Sequence, residues 1–218
     1  MKVGVILSGC GVYDGTEIHE AVLTLLALDR AGAETFCFAP DMDQRHVVNH
    51  LTGKEVPGER RNVLVESARI ARGKVHDLAR AQATELDALI FPGGFGAAKN
   101  LCDFAVKGVA CTVHPEVTRI TREIYRAKKP IGAICIAPAI LSKSLGDQGP
   151  TVTIGTDAET AAALTKMGGK HEACPVGECI VDEKHKIVTT PAYMLAQRIS
   201  EAAEGIEKLV REVLRLAR

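Results

Sequence analysis

The chain has no net charge: 27 lysines and arginines stand against 27 aspartates and glutamates in 218 residues. With no surplus of either sign, nothing points to nucleic acid or a membrane surface as partner. No apolar run approaches the roughly 18 residues that a membrane-spanning helix needs. The opening Met1-Lys2-Val3-Gly4-Val5-Ile6-Leu7 is too short an apolar stretch for a secretory signal and lacks a small-residue cleavage pattern, so it reads as a first strand. Repeats, low-complexity tracts and linker-like segments are missing as well, which leaves one domain over 1–218 as the expected organisation. A dense disulfide framework is also absent. The seven cysteines, Cys10, Cys37, Cys102, Cys111, Cys135, Cys174 and Cys179, are an odd number spread along a long chain, a pattern that suits free thiols in a reducing compartment and implies a cytoplasmic location.

With 46% apolar residues the chain is globular and can bury a sizeable core. Val3 to Leu7 is a continuous apolar run, as in a buried parallel strand. A glycine-rich loop, Ser8 to Gly15, leads to a helix whose apolar positions are Ile18, Ala21, Val22, Leu25 and Leu28, and Gly32 closes it. Asp14 and Glu17 have the spacing of a capping box, in which Glu17 reaches back to the Asp14 N–H. Glu34 to Ala39 reads as a second strand, so the opening is a β-α-β unit of an α/β sheet. Residues 41–86 read as an insertion lying over the sheet, with helical stretches at 62–72 and 78–86. Further strands are expected at 87–91, 131–134, 151–154, 178–182 and 186–190. Further helices are expected from Ala97 or Ala98 to Val106, from Pro115, from the Thr156-to-Glu159 capping box, and over 193–218.

The chemistry centres on Lys129 to Leu141, where a short apolar run ends in Cys135 and a helix opens behind it. A cysteine on such a strand-to-helix turn lies beside unpaired N–H groups, and these together with the helix dipole favour the thiolate. In an open α/β sheet, loops at the C-terminal ends of the strands meet in one crevice. The loops 8–17, 92–100 and 135–138 place a thiol, backbone donors and a carboxylate there. Glu17 has a local capping role and Glu20 has none, so Glu20 is the better candidate acid and Glu17 the alternative. Candidate pocket residues on crevice-side loops are Cys10, Tyr13, Asn100, Thr156, Asp157, Thr190 and Tyr193.

Two other chemistries fit less well. His171, Cys174, Cys179 and His185 can be drawn as zinc ligands, but the spacing departs from zinc-ribbon patterns, so no metal is expected. Gly9-x-Gly11 after the first strand suggests a dinucleotide fold. Gly15 falls one place beyond the third glycine of that motif, however, and Asp41 comes late for the ribose acid.

The loop Ser8 to Gly15, the segment Pro92 to Leu101, the elbow Ile134-Cys135-Ile136-Ala137-Pro138 and the run Thr189 to Met194 together closely resemble ElbB-type glyoxalases. These belong to the PfpI-like superfamily, related in fold to class I glutamine amidotransferases. The resemblance implies a three-layer α/β sandwich with a mostly parallel, flavodoxin-like sheet, a nucleophile elbow at Cys135, and Glu20 of the first helix against the sulfur. It further implies an oxyanion hole from the N–H groups of Gly94 and Ile136, conversion of glyoxal to glycolate without a cofactor, a small aldehyde as substrate, and a homodimer. Peptidase- and amidotransferase-like relatives place a histidine directly after the cysteine. Here that residue is Ile136, so peptide and glutamine hydrolysis are not expected. A non-enzymatic redox sensor built on Cys135 is the alternative reading.

Overall fold

The computed structural model describes all residues from Met1 to Arg218. In chain order the elements are β1 (Lys2–Ile6), α1 (Ile18–Arg30), β2 (Glu34–Ala39), β3 (Val48–Asn49), β4 (Lys54–Glu55), α2 (Val63–Ile70), β5 (Val75–Asp77) and β6 (Ala88–Phe91). There follow α3 (Phe95–Lys99), α4 (Phe104–Lys107), α5 (Pro115–Arg126), β7 (Ile131–Ile134), α6 (Pro138–Leu145), β8 (Thr151–Val152) and α7 (Ala158–Lys166). The chain ends with β9 (Lys170–His171), β10 (Ile180–Asp182), β11 (Ile187–Thr190) and α8 (Ile199–Leu216).

Seven strands form one sheet in the order β10-β11-β7-β6-β1-β2-β5, parallel throughout except for the β10–β11 hairpin. Buried on both faces, the central strands β6 and β7 are apolar along their whole length, as parallel strands between helical layers must be. Leu28 of α1 and Ile206, Leu209 and Val213 of α8 pack on one face, while Val117, Ile120 and Ile124 of α5 and Ile140 and Leu141 of α6 pack on the other. The result is an α/β arrangement, as the strand and helix pattern predicts, in the three layers that the family resemblance implies. The chain builds outward from β1 to β2 and β5 on one side, then returns through β6 to β7 and β11 on the other. The order therefore reverses beside β1, where an open parallel sheet forms its ligand crevice.

Several local expectations are corrected. Glu17, not Asp14, caps α1: its carboxylate accepts the Glu20 N–H at 2.7 Å, while Asp14 accepts the Val48 N–H at 2.7 Å from the β3–β4 hairpin. The segment 41–86 does not lie wholly over the sheet, because β5 pairs with β2 as its outer strand, and Leu78–Arg80 and Ala83–Glu85 are single 3₁₀ turns. The helix expected up to Val106 is broken at residues 100–103, where Asn100 turns inward and Cys102 bridges to Val113. Thr151–Val152 pairs with β9 in a separate two-stranded sheet. The last helix begins at Ile199 rather than Tyr193, after a 3₁₀ turn over Ala192–Met194.

Candidate active site

Cys135 follows β7 directly and adopts φ +61°, a left-handed conformation that costs a non-glycine residue on the order of 1 kcal/mol. Its N–H donates to Thr190 O at 2.9 Å, which ties the turn to the end of β11. Pro138 then opens α6 at a position where a missing N–H costs nothing. The turn is the elbow that the sequence implies, and the strained residue is the cysteine itself.

Glu20, in the first turn of α1, is fully buried. Its Oε2 accepts the Gly93 N–H at 2.9 Å and its Oε1 the Tyr193 N–H at 3.2 Å, so the loop after β6 and the turn after β11 both close on it. Burial, and then the neighbouring Glu17 carboxylate, push Glu20 up to about 8, against the lowering effect of the Tyr193 amide, the Cys135 thiol and the Gly93 amide. Gly93 fits only as glycine: a β-carbon there would lie 2.5 Å from Cys135 Cβ and 2.6 Å from Glu20 Oε2. Gly93 thus lies against both the Cys135 side chain and the Glu20 carboxyl.

The Glu20 side chain and the N–H groups of Gly94 and Ile136 lie close enough to the sulfur to act on its ionisation. Gly94 provides its amide from φ +91°, a conformation open to glycine. The two amides that the resemblance implies as an oxyanion hole thus both act on the sulfur. One expectation is corrected here, that of a resting thiolate. Cys135 is only 8% exposed, and burial together with the Glu20 charge raises its thiol well above the ordinary range in spite of the two amides. Two acids this close cannot both ionise, so the sulfur keeps its proton and Glu20, raised to about 8, is the first of the pair to lose one.

The other candidate residues lie in different places. Tyr193 joins the site through its amide. Glu17 is buried at the cap of α1, one turn from Glu20. Asn100 is buried, but it is a clamp rather than a pocket wall: its Nδ2 donates to Ser8 O and Asp14 O at 2.9 Å each, and its Oδ1 accepts the Arg45 N–H. Thr190 turns its hydroxyl to Glu178 O, toward α8, and offers Cys135 only its carbonyl. Thr156 and Asp157 are exposed, and Asp157 caps α7 by accepting the Thr160 N–H. Tyr13 is exposed and its ring lies tilted against that of His50, 5.0 Å between centroids. Cys10 faces α2, where burial and Glu66 raise its thiol. The residues drawn as zinc ligands have other partners: His171 Nε2 accepts the Ile154 N–H, and His185 Nδ1 pairs with Asp182 at 2.6 Å.

Sequence reasoning missed His19. Its Nδ1 lies 2.8 Å from Tyr193 Oη across 174 residues of chain, a separation no local pattern reveals. A groove of about 690 Å³ also lies elsewhere, at the far ends of α1 and α8 between Arg30, Glu207, Arg211 and Arg215. That groove brings no nucleophile, and we place the chemistry at Cys135.

A strained cysteine at the end of a central parallel strand, facing a buried glutamate from the first helix, defines a class of α/β proteins rather than a single activity. Residues 10–197 match the DJ-1/PfpI family, and the chain belongs to it. It is 51% identical to the human glutamine amidotransferase-like class 1 domain-containing protein 3, mitochondrial, over 99% of this chain and 83% of the human one. It is 34% identical to the zebrafish ES1 protein, mitochondrial, over 99% of this chain and 86% of that one. The crystal structure of an isoprenoid biosynthesis protein with amidotransferase-like domain from Ehrlichia chaffeensis superposes with a TM-score of 0.92 at 41% identity, covering 99% of each chain. The expected cytoplasmic location is overturned, because the human and zebrafish relatives are both named mitochondrial. Free thiols report only a reducing compartment and do not say which one.

Proposed function

We propose that the chain is a cofactor-independent glyoxalase of the ElbB type acting on small α-oxoaldehydes, with Cys135 as nucleophile and Glu20 as its proton partner. The observation that carries this reading is the contact between the Cys135 sulfur and a carboxyl raised to about 8, close enough to neutrality to accept and return a proton.

The Cys135 sulfur adds to one aldehyde carbon of glyoxal while Glu20, as carboxylate, takes the thiol proton. Glu20 passes that proton to the new oxygen, so the hemithioacetal forms with Glu20 again a carboxylate. The amides of Gly94 and Ile136, which act on the sulfur, would steady the oxygen that develops two bonds away from it. Glu20 then removes the C–H proton to give an enediol and returns a proton to the neighbouring carbon, leaving a glycolyl thioester. Water cleaves the thioester, and glycolate leaves with the thiol restored. A homodimer with one such site per protomer is part of the same reading.

Amide hydrolysis, suggested by the relatives' amidotransferase-like names, is not proposed, since Ile136 supplies no base beside the nucleophile. A redox sensor needs a resting thiolate, whereas a glyoxalase deprotonates its thiol only when substrate is present, so the buried thiol favours the enzyme. The test is glycolate formation from glyoxal by purified protein. Turnover by the wild type that is lost in Cys135→Ala supports the proposal, and absence of turnover in the wild type rejects it.

A further inference from the structure

His19 and Tyr193 belong to none of the roles above except through the Tyr193 backbone. Tyr193 nevertheless meets α1 twice: its N–H donates to Glu20 Oε1 at 3.2 Å, and its hydroxyl lies 2.8 Å from His19 Nδ1, one residue earlier on the same helix. The rings lie 5.8 Å apart. The turn that carries Tyr193 is strained, since Ala192 adopts φ +42° without being glycine. A strained turn needs an anchor to persist, and the hydrogen bonds of its own backbone run only within 191–196. Glu20 has no exposed surface while His19 is exposed and Tyr193 partly so, which puts the His19–Tyr193 contact on the solvent side of the carboxyl.

We propose that His19 and Tyr193 are positioning residues for Glu20: their side-chain hydrogen bond fastens the 191–195 turn to α1 and so keeps the Tyr193 N–H on Glu20 Oε1. The inference rests on the glyoxalase reading for its kinetic consequence but not for its structural one. A donor held on a carboxylate favours the ionised form, so loosening the clasp makes Glu20 harder to ionise. The titratable groups acting on Glu20 are Glu17 of its own helix, Cys135 of the elbow and Tyr193 itself, while the loop after β6 contributes only the Gly93 amide.

The experiment follows the ¹³C NMR titration of the Glu20 carboxyl, together with the pH profile of kcat/KM on glyoxal, in wild type, Tyr193→Phe, His19→Ala and His19→Asn. One neutral hydrogen bond corresponds to an upward shift of about half to one pH unit, or a roughly threefold to tenfold loss of kcat/KM at pH 7 that higher pH recovers. We expect this in Tyr193→Phe and His19→Ala, and no larger a shift in the double variant. His19→Asn, whose amide can stand in for Nδ1, should return the midpoint toward wild type. A Glu20 midpoint unmoved in Tyr193→Phe and His19→Ala overturns the inference. The carboxyl titration reads out even where glyoxal is not turned over, so failure of the clasp and failure of the glyoxalase reading are separate results.

Discussion

Gly93 donates its N–H to Glu20 Oε2 at 2.9 Å while lying flush against Cys135, so one residue without a side chain sets both the position of the acid and its distance from the sulfur. The fold brings this about by ending β1, β6 and β7 side by side, with the helix after β1 supplying the acid, the loop after β6 the Gly93 and Gly94 amides and the turn after β7 the thiol and the Ile136 amide.

Replacement of Gly93 by alanine is expected to disable the site. The added carbon would lie 2.5 Å from Cys135 Cβ, 2.6 Å from Glu20 Oε2 and 2.8 Å from Ile134 O, and none of these is the free end of a flexible exposed chain. Overpacking of this kind costs about 1–3 kcal/mol, and it should appear as a lowered Tm together with loss of glyoxal turnover.

Stability should fall with pH on account of Glu20. Its carboxyl is raised from 4.5 to about 8 in the folded chain, so between those values the native state holds a proton that the unfolded state has lost. Folding is therefore unpenalised below about pH 4.5 and loses stability progressively up to about pH 8, by at most about 1.4 kcal/mol per pH unit. Denaturant unfolding of wild type and Glu20→Gln across that window should show a flatter curve for the variant.

Asn100→Ala should destabilise the chain by about 2–4 kcal/mol, since it strands buried carbonyls at Ser8 and Asp14 and the Arg45 N–H. Thermal unfolding would register the loss. Because this side chain holds the loop after β1 rather than the reacting groups, the first effect should be on Tm.

Cys135 should be alkylated at pH 7 more slowly than a cysteine in the unfolded chain, because the thiol is buried and raised. Site-resolved mass spectrometry after brief iodoacetamide treatment measures this. Fast and selective labelling of Cys135 would favour the sensor reading.

The strands β1, β6 and β7 and the helix α5 were legible because largely continuous apolar runs and a buried Val117–Ile120–Ile124 stripe have few alternative explanations. β5 was not, since Val75-His76-Asp77 is short, half polar and paired with a strand far away in sequence. Cys135 and Glu20 could be nominated from elbow spacing, helix position and family resemblance. Which protons they hold could not, because that depends on burial and on amides from two other loops as well as from the elbow. The cap of α1 was misread for a related reason: Asp14 satisfies the local capping pattern, yet its carboxylate is taken by Val48, a tertiary partner.

A double-mutant cycle on kcat/KM for glyoxal with Cys135→Ala, Glu20→Gln and the two combined tests the site most directly, since the account makes sulfur and carboxyl one proton-sharing unit. It predicts that each single change costs about a thousandfold or more and that the double variant is no worse than Cys135→Ala alone. Turnover that survives Cys135→Ala, or losses that multiply in the double variant, would contradict it.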